Sequence, residues 1–344
     1  MRKVVLVAGG VNKWGRRAAT FRQLVAEAGK ACFDSNPNIS NKDIQGFILS
    51  TAYAERTGVQ IHPAPFMAQT LGIHPTKLYQ RVENQCGSGT TAIRTAWWAI
   101  ASGYIDMVMC VGAEKLLIPS HSEIFFNASA ACDKEWEGCF GVNPPSLFAM
   151  AAQAHMRKYG TTEEQLALVA LKNHTHALKT PYAHHYESYQ KRGKVTLETI
   201  MKSKPIAYPL KLFDCCTNTD GAAACILASE EKAKELTDKP VYLIGTSQIC
   251  AHGSWTLAHK DWSEWPPLRM AAKQAYEMAG IKPEEVDLAE VHDCFTISEI
   301  IETEEFGWCK KGEGGKFVEE GLSDYGGKVV VNPRGGLIAC GHPF

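Results

Sequence analysis

The sequence predicts an α/β protein with two related halves and a long insertion between them. Short apolar runs alternate with amphipathic segments along the 344 residues, which is the pattern of strands and helices that pack on each other. A helix, a short polar linker and a strand follow one another in the same order near both ends of the chain. Residues 119–204, in contrast, are rich in His, Asn, Tyr and Lys and have few strand-like runs.

The first strand is predicted at Val4–Ala8, where a short apolar run ends at two glycines. The next amphipathic segment has the spacing of a helix, with apolar residues at Phe21, Leu24, Val25, Ala28 and Cys32. The remaining early elements are strands at Ile44–Leu49, Lys77–Val82 and Met107–Val111, an almost wholly apolar helix that contains Arg94–Ala101, and a strand at Gly221–Ala228.

The late half has its own helix and strand. The helical stripe consists of Leu268, Ala271, Ala272, Ala275 and Ala279, and Gly280 ends it. A strand is predicted at Asp287–Val291. We therefore predict an N-terminal half made of residues 1–118 and 205–235, an inserted loop domain at 119–204, and a C-terminal half at 236–344.

Bulk properties exclude several classes of protein. The formal net charge of −1 does not favour binding to nucleic acid or to an anionic membrane. No apolar run reaches the roughly 18 residues of a membrane-spanning helix. The 12 cysteines include no C-x-x-C pair, so we expect free thiols in a reducing cytoplasm.

The strongest chemical signal is Cys86, within Asn84-Gln85-Cys86-Gly87-Ser88-Gly89. A predicted strand ends just before it and the apolar helix begins just after it. Unpaired N–H groups at a helix start favour a thiolate, so a lowered pKa is expected for Cys86. A cysteine that merely packs in a glycine-rich turn is the equally weighted alternative.

Two later segments carry further candidates. His292 and Cys294 follow the late strand, in the position that Cys86 has in the early half, and could face one pocket if the chain there is extended. His342 lies between glycine and proline in Gly341-His342-Pro343. A nucleophilic cysteine needs a base, which raises the interest of this histidine above that of an ordinary loop residue.

These segments together resemble the thiolase superfamily over the whole chain. The motifs that carry the resemblance are Cys86-Gly-Ser-Gly, Gly112-Ala-Glu-Lys115, Asp220-Gly-Ala-Ala-Ala224, His292-Asp-Cys-Phe295 and Gly341-His-Pro343. The form His292-Asp-Cys-Phe295 is similar to that of the archaeal-type and sterol-carrier-protein-type thiolases. The fold that the resemblance implies is a layered α-β-α-β-α sandwich of two βαβαβ-type halves with an inserted loop domain.

The resemblance also implies an activity and a role for each candidate. The activity is an acyltransferase reaction, the coenzyme A-dependent cleavage or Claisen condensation of a 3-oxoacyl-coenzyme A. Cys86 is the nucleophile that carries the acyl group, and His342 is the base that activates it. Cys294 is the second acid/base thiol, and His292 holds the thioester oxygen in an oxyanion hole. The family continues beyond Gly-His-Pro, so a shortened C-terminal half is expected here.

Coenzyme A enters as a substrate, and no permanent cofactor or metal is expected. The family binds coenzyme A at its inserted domain, where a basic rim would attract the phosphates, without an individual residue being assigned; the basic residues there are Lys172, Lys179, Lys191, Arg192, Lys194, Lys202 and Lys204. Four histidines of the insertion lack any standard metal spacing and are interpreted as surface or loop residues, namely His174, His176, His184 and His185. Expected partners are a second copy of the chain, as a homodimer or dimer of dimers, and a small zinc-ribbon/OB-fold protein.

Three questions stay open at the level of sequence. The substrate is acetoacetyl-coenzyme A or a bulkier 3-oxoacyl group, the latter suggested only by three nearby tryptophans, Trp255, Trp262 and Trp265. The reaction could instead be that of another condensing enzyme of the same fold, of the hydroxymethylglutaryl-coenzyme A or ketoacyl synthase type. A non-catalytic lipid carrier or scaffold subunit is the alternative from a different class.

Overall fold

The computed structural model describes residues 1–118, 127, 129–258 and 260–344, so the first residues of the predicted insertion lie outside the described part. The strands are β1 Val4–Val11, β2 Gly46–Ser50, β3 Leu78–Val82, β4 Met107–Glu114, β5 Pro205–Ala207, β6 Leu210–Lys211, β7 Gly221–Ser229, β8 Val241–Tyr242, β9 Leu288–Ala289 and β10 Val330–Val331. The α-helices are α1 Phe21–Ser35, α2 Ala54–Thr57, α3 Pro63–Thr70, α4 Ser88–Ala101, α5 Pro144–Tyr159, α6 Glu163–Ala177, α7 Tyr186–Arg192, α8 Leu197–Met201, α9 Glu230–Leu236, α10 Trp255–Ala258, α11 Pro266–Ala279, α12 Thr296–Glu305 and α13 Gly314–Glu319; a π-helix spans Gly336–Cys340.

The chain divides into two compact units. Unit 1 comprises Met1–Ser120, Asn218–Thr246 and Pro343–Phe344. Unit 2 comprises His121–Thr217 and Ser247–His342. The predicted boundaries of the inserted domain, 119–204, remain a prediction.

Unit 1 is built on a six-stranded mixed sheet in the order β3-β2-β4-β7-β1-β8. Strands β3, β2 and β4 are parallel to one another, while β7, β1 and β8 are joined to the sheet by antiparallel pairings. Strands β2 and β4 are buried on both faces, which explains why they are continuous apolar runs in the sequence rather than alternating ones. The strands predicted in this half are confirmed.

Helices cover both faces of this sheet. Side chains of α1 and α3 join one apolar cluster with alternate residues of β4, Met107, Met109 and Val111. Side chains of α4 join the other cluster with Val108 and Cys110. Helix α1 approaches so closely that a Cβ on Gly10 would lie 2.2 Å from the backbone nitrogen of Cys32. Gly10 therefore serves helix–strand packing.

Unit 2 is mainly helical, with a two-stranded parallel sheet of β9 and β10 and a two-stranded antiparallel one of β5 and β6. Helix α11 ends at Gly280, as predicted, where the backbone is left-handed (φ 71°). The late strand is shorter than the predicted 287–291: only Leu288–Ala289 is a strand, and the chain beyond it turns toward α12. Within the described residues, no helix combines the length and apolar character needed to cross a lipid bilayer.

Candidate active site

Cys86 lies in unit 1 on the turn between the end of β3 and the start of α4, where the sequence predicted it. The Ser88 hydroxyl holds this turn, because it accepts from the backbone N–H of Asn84 at 2.8 Å and donates to the carbonyl of Gln85 at 2.5 Å. Gln85 itself is left-handed (φ 48°), and its amide donates to the Tyr53 hydroxyl at 3.1 Å. The turn therefore presents a half-buried Cys86 directly before the helix.

The electrostatics of Cys86 differ from the prediction. Burial raises the pKa of its thiol to about 12, a backbone hydrogen bond opposes this rise, and the nearby Glu114 carboxylate adds to it. The expected lowering of the pKa by the start of α4 is therefore wrong, because desolvation outweighs it. Cys86 rests as a thiol and can act as a nucleophile only if a base removes its proton.

Glu114, at the end of β4, is a fully buried carboxyl that the sequence analysis did not single out. Its Oε1 accepts from the Thr51 hydroxyl at 2.9 Å, from the backbone N–H of Tyr53 at 3.2 Å and from that of Ala52. Its Oε2 is buried without a hydrogen-bond partner among the described residues. Burial raises the pKa of Glu114 to about 7. The motif Gly112–Lys115, which contains Glu114, was the feature of the sequence that could have identified it.

His292 and Cys294 lie in unit 2 on the segment between β9 and α12. The segment is a tight turn, since the backbone N–H of Cys294 donates to the carbonyl of His292 at 2.9 Å. The condition under which the two side chains would face one pocket, an extended chain, is therefore not met at this turn. Two contacts hold the turn: Glu302 Oε2 accepts from the backbone N–H of His292 at 2.8 Å, and the Cys294 carbonyl accepts from that of Cys216 at 2.8 Å. The Cys294 side chain is buried.

His342 belongs to unit 2 and lies beside His292, with ring centroids 5.3 Å apart and planes at 79°. Its backbone N–H donates to the carbonyl of Thr217 at 2.9 Å, and Gly341 before it is left-handed (φ 128°). Burial lowers the pKa of His292 to about 4 and, together with the neighbouring His292 ring, lowers that of His342 well below its ordinary value. Both imidazoles are therefore neutral near pH 7, each with one N–H to donate and one nitrogen to accept.

The basic residues of the predicted insertion do not form one group. Lys172 is buried, and its Nζ lies 2.9 Å from Glu299 Oε1 and donates to the Val331 carbonyl at 2.8 Å. Lys172 is thus excluded as part of a phosphate-attracting rim. The Nζ of Lys179 lies 3.7 Å from the centroid of the Tyr325 ring. The exposed basic residues are Lys179, Lys191, Arg192, Lys194, Lys202 and Lys204.

The surface interpretation of the four insertion histidines is wrong for two of them. His174 is buried and accepts or donates at Nδ1 with the Tyr189 hydroxyl, 2.6 Å away. His176 is buried and contacts the Asn332 carbonyl at 2.9 Å and Asp324 at 2.8 Å. The half-buried rings of His184 and His185 stack at 4.9 Å. The ring of His174 lies 6.0 Å from that of His185, whereas His176 is held by its polar contacts with Asn332 and Asp324.

The predicted tryptophan group is partly an aromatic cluster next to the Cys294 turn. Phe148 stacks on Phe295 with centroids 4.6 Å apart, and its ring meets Trp255 at 5.3 Å and Trp265 at 6.0 Å. The indole nitrogen of Trp265 is buried without a hydrogen-bond partner among the described residues. The cluster fixes Phe295, and hence one end of the turn, by apolar contact.

Comparison with known proteins identifies the family and the relatives of this chain. The profile described as "Thiolase, N-terminal domain" matches residues 4–231, and "Thiolase C-terminal domain-like" matches residues 250–344. The chain is 38% identical to the acetyl-CoA acetyltransferase of Methanothermobacter thermautotrophicus, over 100% of this chain and 87% of that protein. It is 33% identical to the benzoylsuccinyl-CoA thiolase subunit BbsB of Thauera aromatica, over 100% and 85%. A solved structure titled "Ltp2-ChsH2(DUF35) aldolase" superposes with a TM-score of 0.84 at 25% identity, covering 99% of this chain and 86% of that one.

Proposed function

Since the chain belongs to the thiolase family and is an acyltransferase of the thiolase kind, we propose that it cleaves or forms a 3-oxoacyl-coenzyme A through a thioester on Cys86. The observation that carries this proposal is the adjacent pair of neutral imidazoles, the half-buried His292 and the buried His342. A neutral imidazole can take the proton that a high-pKa thiol must lose, and a second one can donate a hydrogen bond to a developing oxyanion.

The first half-reaction makes the acyl-enzyme. His342 takes the proton of the Cys86 thiol, and the sulfur attacks the C3 carbonyl of the 3-oxoacyl thioester. His292 donates to an oxygen that gains negative charge. The C2–C3 bond then breaks, its electron pair leaves as the enolate of a thioester, and Cys294 protonates the enolate carbon.

The second half-reaction frees the enzyme. The Cys294 thiolate takes the proton of incoming coenzyme A, whose sulfur attacks the Cys86 thioester and displaces the Cys86 sulfur. The proton held by His342 returns to Cys86. Thioester exchange between two sulfurs is nearly balanced in energy, so condensation runs through the same steps in reverse.

Replacing each cysteine separates the two roles. Cys86→Ala is expected to lower thiolysis by at least about 10³-fold without loss of folding, as measured by release of acyl-coenzyme A and by circular dichroism. Cys294→Ala is expected to block turnover in both directions while some acylated Cys86 still forms, detected by mass spectrometry of the intact protein. An active Cys86→Ala enzyme would refute the covalent mechanism, and full activity without Cys294 would refute its assigned role.

The proposed substrate is acetoacetyl-coenzyme A, or a 3-oxoacyl-coenzyme A with a bulkier acyl group. The archaeal relative named an acetyltransferase supports the small substrate. The relative named for benzoylsuccinyl-coenzyme A supports the bulkier one. Comparing kcat/KM over a panel from acetoacetyl to aromatic 3-oxoacyl thioesters decides between them.

Binding of coenzyme A is assigned to the exposed basic residues of the inserted region. A charge-removing triple variant, Lys191→Gln with Arg192→Gln and Lys194→Gln, should raise KM for coenzyme A and leave kcat nearly unchanged. A homodimer, a small zinc-ribbon/OB-fold partner and a cytoplasmic location complete the proposal. The similar solved structure whose title includes a DUF35 component supports such a partner.

Two alternatives make different predictions. A condensing enzyme of the hydroxymethylglutaryl-coenzyme A or ketoacyl synthase type would also form an acyl-enzyme, but it would not need Cys294. A non-catalytic carrier or scaffold would bind acyl-coenzyme A without acylating Cys86. Trapping the acyl-enzyme in the native protein therefore separates the carrier from the two kinds of enzyme. Turnover of Cys294→Ala then separates the thiolase, which should lose it, from the other condensing enzymes, which should keep it.

A further inference from the structure

Two separate chain segments of unit 2 carry the proposed acid/base groups, and one carboxyl group joins them. His292 and Cys294 flank Asp293, whereas His342 follows the π-helix Gly336–Cys340. Asp293 is fully buried. Its Oδ1 accepts from the backbone N–H of Leu337 at 2.6 Å, and its Oδ2 from that of Ile338 at 3.4 Å. The carboxyl group of Asp293, between His292 and Cys294, therefore binds the backbone of the segment that leads to His342.

The glycines at 335 and 336 make this approach possible. Both are left-handed, with φ of 108° and 58°, a region that favours glycine. A Cβ on Gly336 would lie 2.1 Å from Asp293 Oδ2, and one on Gly335 would lie 2.9 Å from the Cα of Ala177. The motif Gly335-Gly336 therefore admits the carboxylate on one side and helix α6 on the other.

A second set of contacts fixes Asp293 from behind. The Asn173 amide donates to Asp293 Oδ2 at 2.7 Å and to Glu299 Oε2 at 2.9 Å. Glu299 is in turn paired with Lys172, Nζ to Oε1, at 2.9 Å, and it accepts from the Asn332 amide at 3.0 Å. Asn332 returns to the first segment, since its Oδ1 accepts from the backbone N–H of Val291 at 2.9 Å. These are buried groups with few alternative partners.

From this geometry we propose that Asp293 is a positioning residue: through the backbone N–H groups of Leu337 and Ile338 it fixes the place of His342 relative to His292. The inference rests on the proposed function, since it concerns how the two histidines of that site are positioned. Misplacing a catalytic group by about 1 Å can cost about 10²-fold in rate. Because the backbone contacts of Asp293 with Leu337 and Ile338 lead to His342, its loss should affect the chemical step rather than substrate affinity.

The decisive variant is Asp293→Asn, with Glu305→Gln as the matched control. An asparagine at 293 keeps the size of the side chain but brings an NH₂ group against the N–H donors of Asn173 and Ile338. The hydrogen bonds from these two donors are therefore lost. Glu305 is also a buried carboxylate that accepts from a backbone N–H, that of Trp265 at 2.7 Å, and it pairs with Arg269 and Lys311. It has no described contact with the segment of His292 or with that of His342, so its variant reports on the loss of a buried carboxylate alone.

The expected result is a kinetic split. Asp293→Asn should lower kcat by about 10²-fold and leave KM for coenzyme A within about threefold, whereas Glu305→Gln should keep kcat. Hydrogen exchange measured on the peptide 335–341 should speed up in Asp293→Asn and stay slow in Glu305→Gln. An Asp293→Asn enzyme with native kcat, or an equal fall of kcat in Glu305→Gln, would overturn the proposal.

Two further measurements keep the test decisive if the first variant does not fold or the native protein is inactive. If Asp293→Asn does not fold, Asn173→Ser, which leaves the carboxylate in place and removes its amide donor, takes its role: a fall in kcat with unchanged KM supports the proposal, and native kcat overturns it. If the native protein forms no acyl-enzyme, the proposed function fails. The exchange of peptide 335–341 then still tests whether Asp293 holds the His342 segment.

Discussion

The two cysteine-bearing turns of this chain follow one plan but are stabilised differently. The Cys86 turn in unit 1 links β3 to α4, and the Cys294 turn in unit 2 links β9 to α12. The first is held by the neutral hydroxyl of Ser88, and its helix buries alanines, Trp97 and Ile100. The second is held by the carboxyl groups of Asp293 and Glu302.

Helix α12 makes the contrast sharper, because all ten of its residues are buried and they include Glu299, Glu302, Glu304 and Glu305. A buried charge is costly unless cations and N–H groups surround it. Such a group tolerates few arrangements, whereas apolar packing tolerates many. The first turn therefore depends on packing and desolvation, and the second on buried carboxyl groups with fixed hydrogen-bond partners.

The largest effect on stability should come from the charged side of this comparison. Glu299→Gln removes the partner of the buried Lys172 and is expected to cost about 3–5 kcal/mol of unfolding free energy. Burial, in contrast, raises the pKa of Glu302 well above its ordinary value and so favours its uncharged form, and Glu302→Gln should cost under about 1 kcal/mol. Urea unfolding at pH 7 measures both. Equal losses in the two variants would break the proposed contrast.

The second effect concerns pH and the Cys86 side. Burial raises the pKa of Glu114 from 4.5 to about 7, so the folded state holds its proton longer than the unfolded state does. Stability from this group is therefore full below about pH 4.5 and is lost as pH rises toward 7. Glu114→Gln should become more favourable relative to the native protein over this window, by up to about 3 kcal/mol.

Urea unfolding of both proteins between pH 5 and pH 8 tests this prediction. The difference in unfolding free energy should change in favour of Glu114→Gln as pH rises. A difference that is independent of pH would show that Glu114 titrates in the folded protein as it does in the unfolded chain.

The smallest effects come from one added methyl group in each turn region. Gly336→Ala should destabilise the protein by about 2 kcal/mol or more. The backbone at this position is left-handed, which disfavours any residue with a Cβ, and the new Cβ would lie 2.1 Å from Asp293 Oδ2. Gly89→Ala, in helix α4, meets nothing within 4 Å and should add about 0.5–1 kcal/mol through helix propensity. Thermal unfolding compares them, and a destabilised Gly89→Ala would mean that the Cys86 turn is less tolerant than its packing indicates.

Local patterns in the sequence were sufficient for much of this protein. The alternation of apolar runs and amphipathic segments predicted the α/β class, and the strands of unit 1 and the end of α11 are confirmed. The motifs around Cys86, His292 and His342 predicted the thiolase family and its acyltransferase activity, which the family models and the acetyl-CoA acetyltransferase relative confirm. The assigned roles of these residues and of Cys294, and the boundaries of the inserted domain, stay predictions.

The sequence by itself therefore determined which residues lie on turns before helices, because strand periodicity, glycine and helix starts are encoded within about ten neighbouring residues. Only the tertiary structure decided the pKa shifts and the partners of the buried charged and polar groups. The pKa of Cys86 is raised rather than lowered, Lys172 is paired with Glu299, and Asp293 is joined to Leu337. Each of these depends on desolvation and on partners tens to more than a hundred residues away in the chain, which no local pattern records.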